Sequence, residues 1–394
     1  MKGSILTLNA GSSSVKFALF DTEANLKNTV RGEIEELDTA PHLLARDGAG
    51  TVLTEKKWPA GAPPSFATVL DALLAFTDAH LGRKGLAAVG HRVVHGGAEH
   101  IAPEQITPAL LTALEALTPL DPLHMPDNLA PIHAVAAARP ALPQVACFDT
   151  AFHHTLPPVA RRFALPRAIS DAGVRRYGFH GLSYEYIAGC LKQQFPVLAR
   201  GRVIAAHLGS GASLCALQDS RSIATTTGFS ALDGLVMATR CGSLDPGVIL
   251  YLGHQGHSFD DIEDMLYRRS GLLGVSGISG DVRVLLASDD PHARDAIDLF
   301  TYRIACEAGG LVSALGGLDG LVFTAGIGEH APAIRAAVCA RLEWLGLRLD
   351  STANGAGAAR ISTPDSKIEV RVIATDEEAM IARHTRAAIH GTAT

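Results

Sequence analysis

Ile5-Leu-Thr-Leu-Asn-Ala-Gly-Ser-Ser-Ser-Val-Lys-Phe-Ala-Leu-Phe20 reads as a buried strand, a Gly/Ser turn and a second strand. Val203-Ile-Ala-Ala-His-Leu-Gly-Ser-Gly-Ala-Ser-Leu-Cys-Ala-Leu217 has the same plan. Laid over one another without a gap, the two segments match Gly11 with Gly209, Ser12 with Ser210, Ala18 with Ala216 and Leu19 with Leu217. The offset of 198 residues, from Gly11 to Gly209, is close to half of the 394-residue chain. A few matched small residues carry little weight alone. Pattern, register and offset together point to an internal duplication.

Outward from these hairpins, helical and strand patterns alternate, which indicates an α/β class. Ser65 to Leu81 spaces Phe66, Val69, Leu70, Leu73, Leu74 and Phe76 along one helical face, with Ser65 as its cap. Gln144 to Phe148 predicts a buried strand that delivers Asp149 at its end. Leu321 to Thr324 predicts another, followed by a Gly326-Ile-Gly-Glu turn and a helix from Ala333 to Leu342. Residues 350–367, rich in Ser, Thr, Ala, Gly and Pro, predict a surface connection. A last strand, Val370 to Ala374, precedes a helix that starts near Asp376. The length suggests two domains, with the boundary near residue 150: residues 1–150, rejoined by the final helix at 378–394, and residues 151–377. The helical stretch Ile297 to Leu315 fits either a domain core or a subunit interface.

Net charge is −6 without any block of like charge. A basic groove for nucleic acid and a polybasic membrane anchor are therefore not expected. The apolar stretch in MKGSILTLNAGSSS is too short for a signal peptide, and no apolar run elsewhere could span a bilayer, so a cytoplasmic location is the expectation. Six widely spaced cysteines without a CxxC pair read as reduced packing residues, neither disulfides nor a zinc site.

Both Gly/Ser turns are candidate phosphate cradles, because small residues let backbone N–H groups and hydroxyls approach an anion. A tight hairpin needs the same residues for conformational reasons, so a single turn leaves both readings open. Gly326-Ile-Gly-Glu-His330 is a third Gly-rich element, without the spacing of a Walker A loop or dinucleotide fingerprint. Arg92 in Gly90-His-Arg-Val-Val-His-Gly-Gly97 and Arg240 before Cys-Gly-Ser can each fork onto a carboxylate or phosphate; a surface arginine on a turn is the alternative for either. His180, between Phe179 and Gly181, suits a donor to a phosphoryl oxygen or a buried structural histidine. Asp149 and Glu377 follow apolar strands, where an acid can hold Mg²⁺ or cap a helix. Adjacent His153 and His154 have no third ligand spaced to join them on a transition metal.

Taken together, LNAGSSSVKFAL, GHRVVHGG, PLDPLHMP, FDTAFHHTLP, RRYGFHGLS, HLGSGAS, GLVMATRCGSLDPG, FTAGIGEHAPAIR and ATDEEAMIAR resemble the acetate kinase family, in order and spacing over nearly the whole chain. The resemblance implies an actin/Hsp70/sugar-kinase architecture: two duplicated ribonuclease-H-like domains with an interdomain cleft. It implies an enzyme transferring the γ-phosphoryl of ATP to acetate, giving acetyl phosphate and ADP, with Mg²⁺ (or Mn²⁺) and a homodimeric state. Carried over by motif, Asn9 and Glu377 would hold the metal, and Ser12, Ser14 and Lys16 would form the first phosphate hairpin. Arg92, Asp149, His180 and Arg240 would be catalytic; Val94, Leu123 and Phe179, with Arg92, would hold the acyl substrate. The nucleotide would meet His207, Leu208, Gly209, Ser210 and Gly211, then Asp281, Val282 and Arg283, then Gly326, Ile327, Gly328, Glu329 and His330.

The chain departs from the family pattern at Met125, Leu182, Tyr184, Ser210, Ala231, Ser243, His330 and Asp376. Ala231, standing for a proline of the acyl pocket, makes a propionate or broader short-chain kinase the nearest rival. A non-catalytic actin-like ATP-binding regulator would need the hairpins but not both arginines, His180 and the acyl pocket. A phosphatase would need a water-activating base, and no residue stands out for that role.

Overall fold

The computed structural model describes residues 2–11, 13–61 and 63–391. The chain divides into two compact units, Met1–Ala151 with Asp376–Thr394, and Phe152–Thr375.

The first unit is built on β1 (Ser4–Ala10), β2 (Val15–Asp21), β3 (Lys27–Glu35), β4 (His42–Asp47), β5 (Val52–Lys57), β6 (Leu86–Val93), β7 (Glu104–Gln105) and β8 (Gln144–Phe148). Their order in the sheet is β5-β4-β3-β2-β1-β6-β8-β7. β1 to β5 run as an antiparallel meander, β6 lies parallel to β1, and β8 parallel to β6. The second unit has β9 (Arg202–Leu208), β10 (Ala212–Gln218), β11 (Arg221–Thr225), β12 (Gly320–Thr324) and β13 (Glu369–Val372), in the order β11-β10-β9-β12-β13. Here too the first three strands are antiparallel neighbours, and β12 and β13 continue in parallel. The run β3-β2-β1-β6-β8 therefore has the order and strand sense of the whole second sheet. One ribonuclease-H-like sheet occurs twice in an α/β chain, as the repeated hairpin predicts.

The principal helices are α1 (Phe66–Leu81), α2 (Met125–Ala138), α3 (Gly181–Gln194), α4 (Pro246–His254), α5 (Pro291–Leu315), α6 (Ala325–His330), α7 (Pro332–Arg341) and α8 (Glu377–His390). α1 starts where the sequence places it, with Ser65 Oγ accepting from Thr68 N–H. The central strands are buried almost continuously because helices cover both sheet faces. In the first unit, Leu6, Leu8, Phe17 and Leu19 pack with Leu70 and Leu73 of α1 and Val135 of α2. The opposite face, Ile5, Ala18, Phe20 and Ala88, meets Ala382 of α8. α8 lies so close that a Cβ on Gly90 would come 2.1 Å from Thr385 Oγ1. In the second unit, Ala206, Leu214, Ala216 and Phe323 share a core with Phe300 and Ile304 of α5. The other face packs Ala205, Cys215 and Val322 with Tyr184, Ile187 and Leu191 of α3. α5 thus puts one face into the core, while Leu299 and Tyr302 remain exposed.

Three expectations are corrected. The hairpins do not superpose without a gap: Ala10 pairs with Val15 across the first turn, but Leu208 pairs with Ala212 across the second. The second turn is one residue shorter, so the register partner equivalent to Ala18 is Cys215 rather than Ala216. Gly326-Ile-Gly-Glu is not a plain turn but most of α6, which begins at Ala325 in the left-handed region (φ 63°). Residues 350–367 are not wholly a surface connection, because Asn354, Ile361 and Ser362 are buried.

Candidate active site

In the first unit, three adjacent parallel strands present their C-terminal ends side by side. β1 delivers Asn9, β6 delivers Arg92, and the residue after β8 is Asp149. Arg92 donates from Nε (2.9 Å) and Nη2 (2.5 Å) to Asp149 Oδ2, and from Nη1 to Asn9 Oδ1 (3.3 Å). Asn9 Nδ2 then donates to Glu377 Oε2 at 2.9 Å. Glu377 opens α8 behind the Asp376 cap, so the returning helix completes the cluster. Burial opposes the Arg92 charge, but Asp149 and Glu377 outweigh it and its pKa stands above the ordinary guanidinium value. Glu377 is pushed upward, chiefly by burial; Arg92 opposes the shift and Asp149 adds to it.

Asp149 is fully buried, and its Oδ1 has no hydrogen-bond donor. An unpartnered buried carboxylate oxygen beside a second carboxylate and an amide fits a hard divalent cation whose shell is completed by water. Among the described residues no group of three or more His, Cys, Asp or Glu is placed to hold a metal by itself. The acyl-wall residues are divided: Val94 and Leu123 belong to the first unit, Phe179 to the second. Val94 N–H donates to Asn128 Oδ1 (2.7 Å), and Asn128 Nδ2 to Ala10 O (2.8 Å), which ties the β6 loop to the end of β1. Ser14 accepts Gly11 N–H through its carbonyl (2.8 Å), and Lys16 is exposed on β2; Ser12 lies outside the described residues.

In the second unit, His180 precedes α3 with a left-handed backbone (φ 59°). Its ring stacks on His207 at 4.3 Å between centroids and 15° between planes. His180 Nδ1 is bonded to Ser213 Oγ (2.7 Å), which Tyr184 Oη also reaches (2.5 Å). His207 Nδ1 is bonded to Ser183 Oγ (2.8 Å), and Ser183 to Thr375 Oγ1 (2.9 Å). A Cβ on Gly211 would sit 3.0 Å from His180 Nε2, so the glycine lets the imidazole face the turn. Arg240 Nη1 donates to Ala231 O at 2.9 Å. His153, by contrast, is buried with Nδ1 on Ser222 Oγ and Nε2 on Phe179 O, a structural histidine.

A cavity of about 750 Å³ in this unit is lined by Gly209 and Ser210, by Asp281, Val282 and Arg283, and by Gly326, Ile327 and His330. Ala238, Leu286 and Pro332 add apolar wall. All three Gly- or Asp-centred segments singled out in the sequence for a nucleotide thus meet at one place. His207, Leu208, Gly211, Gly328 and Glu329 support those segments without lining the cavity. Glu329 Oε1 accepts Thr375 N–H (3.2 Å), while Asp281 pairs with the exposed Arg283 at 2.6 Å.

Sequence reasoning missed Arg335, a fully buried guanidinium on α7. It donates to Gly328 O (2.9 Å) and Glu329 O (2.8 Å), two carbonyls in the second half of α6, and to Asn354 Oδ1 and O (both 2.8 Å). It also missed Asn128, Ser183 and Ser213, although the two serines stand inside the motifs RRYGFHGLS and HLGSGAS.

The acetokinase family pattern matches residues 4–383. The acetate kinase of Rhodopseudomonas palustris is 54% identical over 391 residues, covering 98% of each chain. Among solved structures, a propionate kinase from Francisella tularensis superposes with a TM-score of 0.89 at 36% identity, over 98% of this chain and 99% of that one. The acetate kinase of Porphyromonas gingivalis does so with a TM-score of 0.85 at 34% identity, over 98% and 100%.

Proposed function

We propose, from the premise that this chain belongs to the acetokinase family and is a phosphotransferase with a carboxylate acceptor, that it moves the γ-phosphoryl of ATP reversibly onto acetate. The observation that carries the nucleotide half is the meeting of Gly209–Ser210, Asp281–Arg283 and Gly326–His330 around one cavity. We take the two compact units as its two domains, the second binding the nucleotide.

A carboxylate is already a nucleophile, so direct in-line transfer needs no general base; position and charge neutralisation do the catalysis. Arg92, pinned by Asp149, and Arg240, pinned by Ala231 O, supply the cations. His180, held through Nδ1, offers Nε2 to phosphoryl oxygens. Asp149, Glu377 and Asn9 would hold Mg²⁺ (or Mn²⁺), which when bound neutralises phosphate charge. Val94, Leu123 and Phe179 are the residues that the family resemblance assigns to the acyl substrate. We assign the working form as a cytoplasmic homodimer; the dimer is supported by α4, none of whose residues is buried and which exposes Val248, Leu250 and Tyr251.

A wider acyl specificity is the second reading, favoured by the small Ala231. The test is acyl hydroxamate formation from Mg-ATP and hydroxylamine with acetate, propionate or butyrate. Acetate ahead of propionate, with little from butyrate, supports the first reading, and propionate ahead supports the second. No product from any acid in folded, ATP-binding protein leaves an ATP-binding regulator. One methylene alters selectivity by only ~1–3 kcal/mol, so the comparison needs kcat/KM for each acid.

A further inference from the structure

We propose that Arg176 is a positioning residue that sets both His180 and Arg240 for transfer, an inference that rests on the carboxylate-kinase reading above. Arg176 Nη1 donates to three successive carbonyls, Thr225 O (3.4 Å), Thr226 O (3.0 Å) and Thr227 O (2.5 Å), and Nη2 to Asp233 Oδ2 (3.4 Å). One guanidinium therefore ties the beginning of the Thr225–Gly234 loop to its end.

Both ends of the chemistry hang on that loop. Thr227 Oγ1 accepts Phe179 N–H (3.0 Å), and Gly228 O accepts Tyr177 N–H (3.0 Å), so the backbone leading into His180 is docked against it. Because His180 is in the left-handed region, the aim of its ring depends on that docking. Farther along, Ala231 presents the carbonyl that accepts Arg240 Nη1. Asp233, the anchor, also accepts from Gly234 N–H (2.8 Å) and Ser243 Oγ (2.9 Å). It lies over Gly228, where a Cβ would approach Oδ2 to 2.7 Å. A planar, five-donor fork can serve three carbonyls and a carboxylate at once; the compact ammonium of lysine cannot.

The experiment compares full-length wild type with R176A, R176K and D233N. Hydroxamate kinetics with acetate and Mg-ATP, ATP affinity by calorimetric titration, and thermal melting are measured together. Misplacing both groups should lower R176A kcat roughly 10–100-fold. ATP affinity should stay within about twofold, since Arg176 does not line the nucleotide cavity. Guanidinium at millimolar concentration should restore part of the R176A rate, and R176K should fall between R176A and wild type. If R176A does not fold, D233N must show the same kcat-without-affinity loss. The proposal is overturned if folded R176A, or D233N in its place, turns over within about twofold of wild type, or if kcat and ATP affinity fall in step without guanidinium rescue. Absence of hydroxamate from wild type would instead sink the function reading, because the proposal is judged on the ratio of variant to wild type.

Discussion

Asp149 has one oxygen taken by two N–H groups of Arg92 and the other without a donor, and the whole residue is out of solvent. Removing the guanidinium leaves a buried charge uncompensated, which costs about 3–5 kcal/mol. Arg92→Ala should therefore lower unfolding stability in urea by that order as well as abolish hydroxamate formation. The pair replacement Arg92→Met with Asp149→Leu should regain most of the stability and none of the activity. His91, next in the strand, is buried with Nε2 on Gln144 Oε1, and burial pushes it from 6.5 down to about 4. A folded pKa below the unfolded one means stability is full above 6.5 and is lost as pH falls toward 4. The shift corresponds to roughly 3 kcal/mol. A pH series of urea melts should show that loss in wild type and a flatter curve in His91→Gln. At this scale the sequence was informative where chemistry-bearing residues sit at the ends of apolar strands, as with Asn9, Arg92 and Asp149. It was silent on Asn128, Ser183 and Ser213, because small polar residues acquire partners only through tertiary packing.

The elements most legible in the sequence were the long periodic ones: α1 with its serine cap, and the strands of the two hairpins. α6 was missed for a physical reason. Six residues with two glycines have neither the propensity nor the length to announce a helix. It is held from outside, by Arg335 gripping the carbonyls of Gly328 and Glu329. Arg335→Met should leave those carbonyls and the buried Asn354 partly unsatisfied, at a cost of about 1–3 kcal/mol. Since α6 forms one wall of the cavity, ATP affinity should weaken several-fold by titration, with KM for acetate at saturating ATP unchanged. An equal loss in both constants would mean that Arg335 holds more than this wall. The slip between hairpins was equally invisible, because β2 and β10 are buried almost continuously and offer no alternation that would mark a one-residue shift.

For the whole molecule, the duplication was readable because the first two strands of each sheet carry the Gly/Ser turn. The shared five-strand order was not, since crossovers depend on which helix covers which face. The chain closes its first unit with its last helix, and Met380, Ile381 and Ala382 of α8 are buried there. A chain ending at Thr375 should lose hydrogen-exchange protection across β1, β2 and β6 while β9 and β12 keep theirs. It should also lack all hydroxamate activity, since Glu377 is gone.

That late closure has a timetable. When Ala151 leaves the ribosome, the first sheet has all its strands, yet the seam of Ile5, Ala18, Phe20 and Ala88 has no cover until α8 is made. At ~5–20 residues per second the wait is roughly 10–50 s. Throughout it, each nascent chain displays a greasy strip to its neighbours on the polysome. Yield in cells should therefore depend on translation speed and holdase supply more than the finished enzyme's stability suggests.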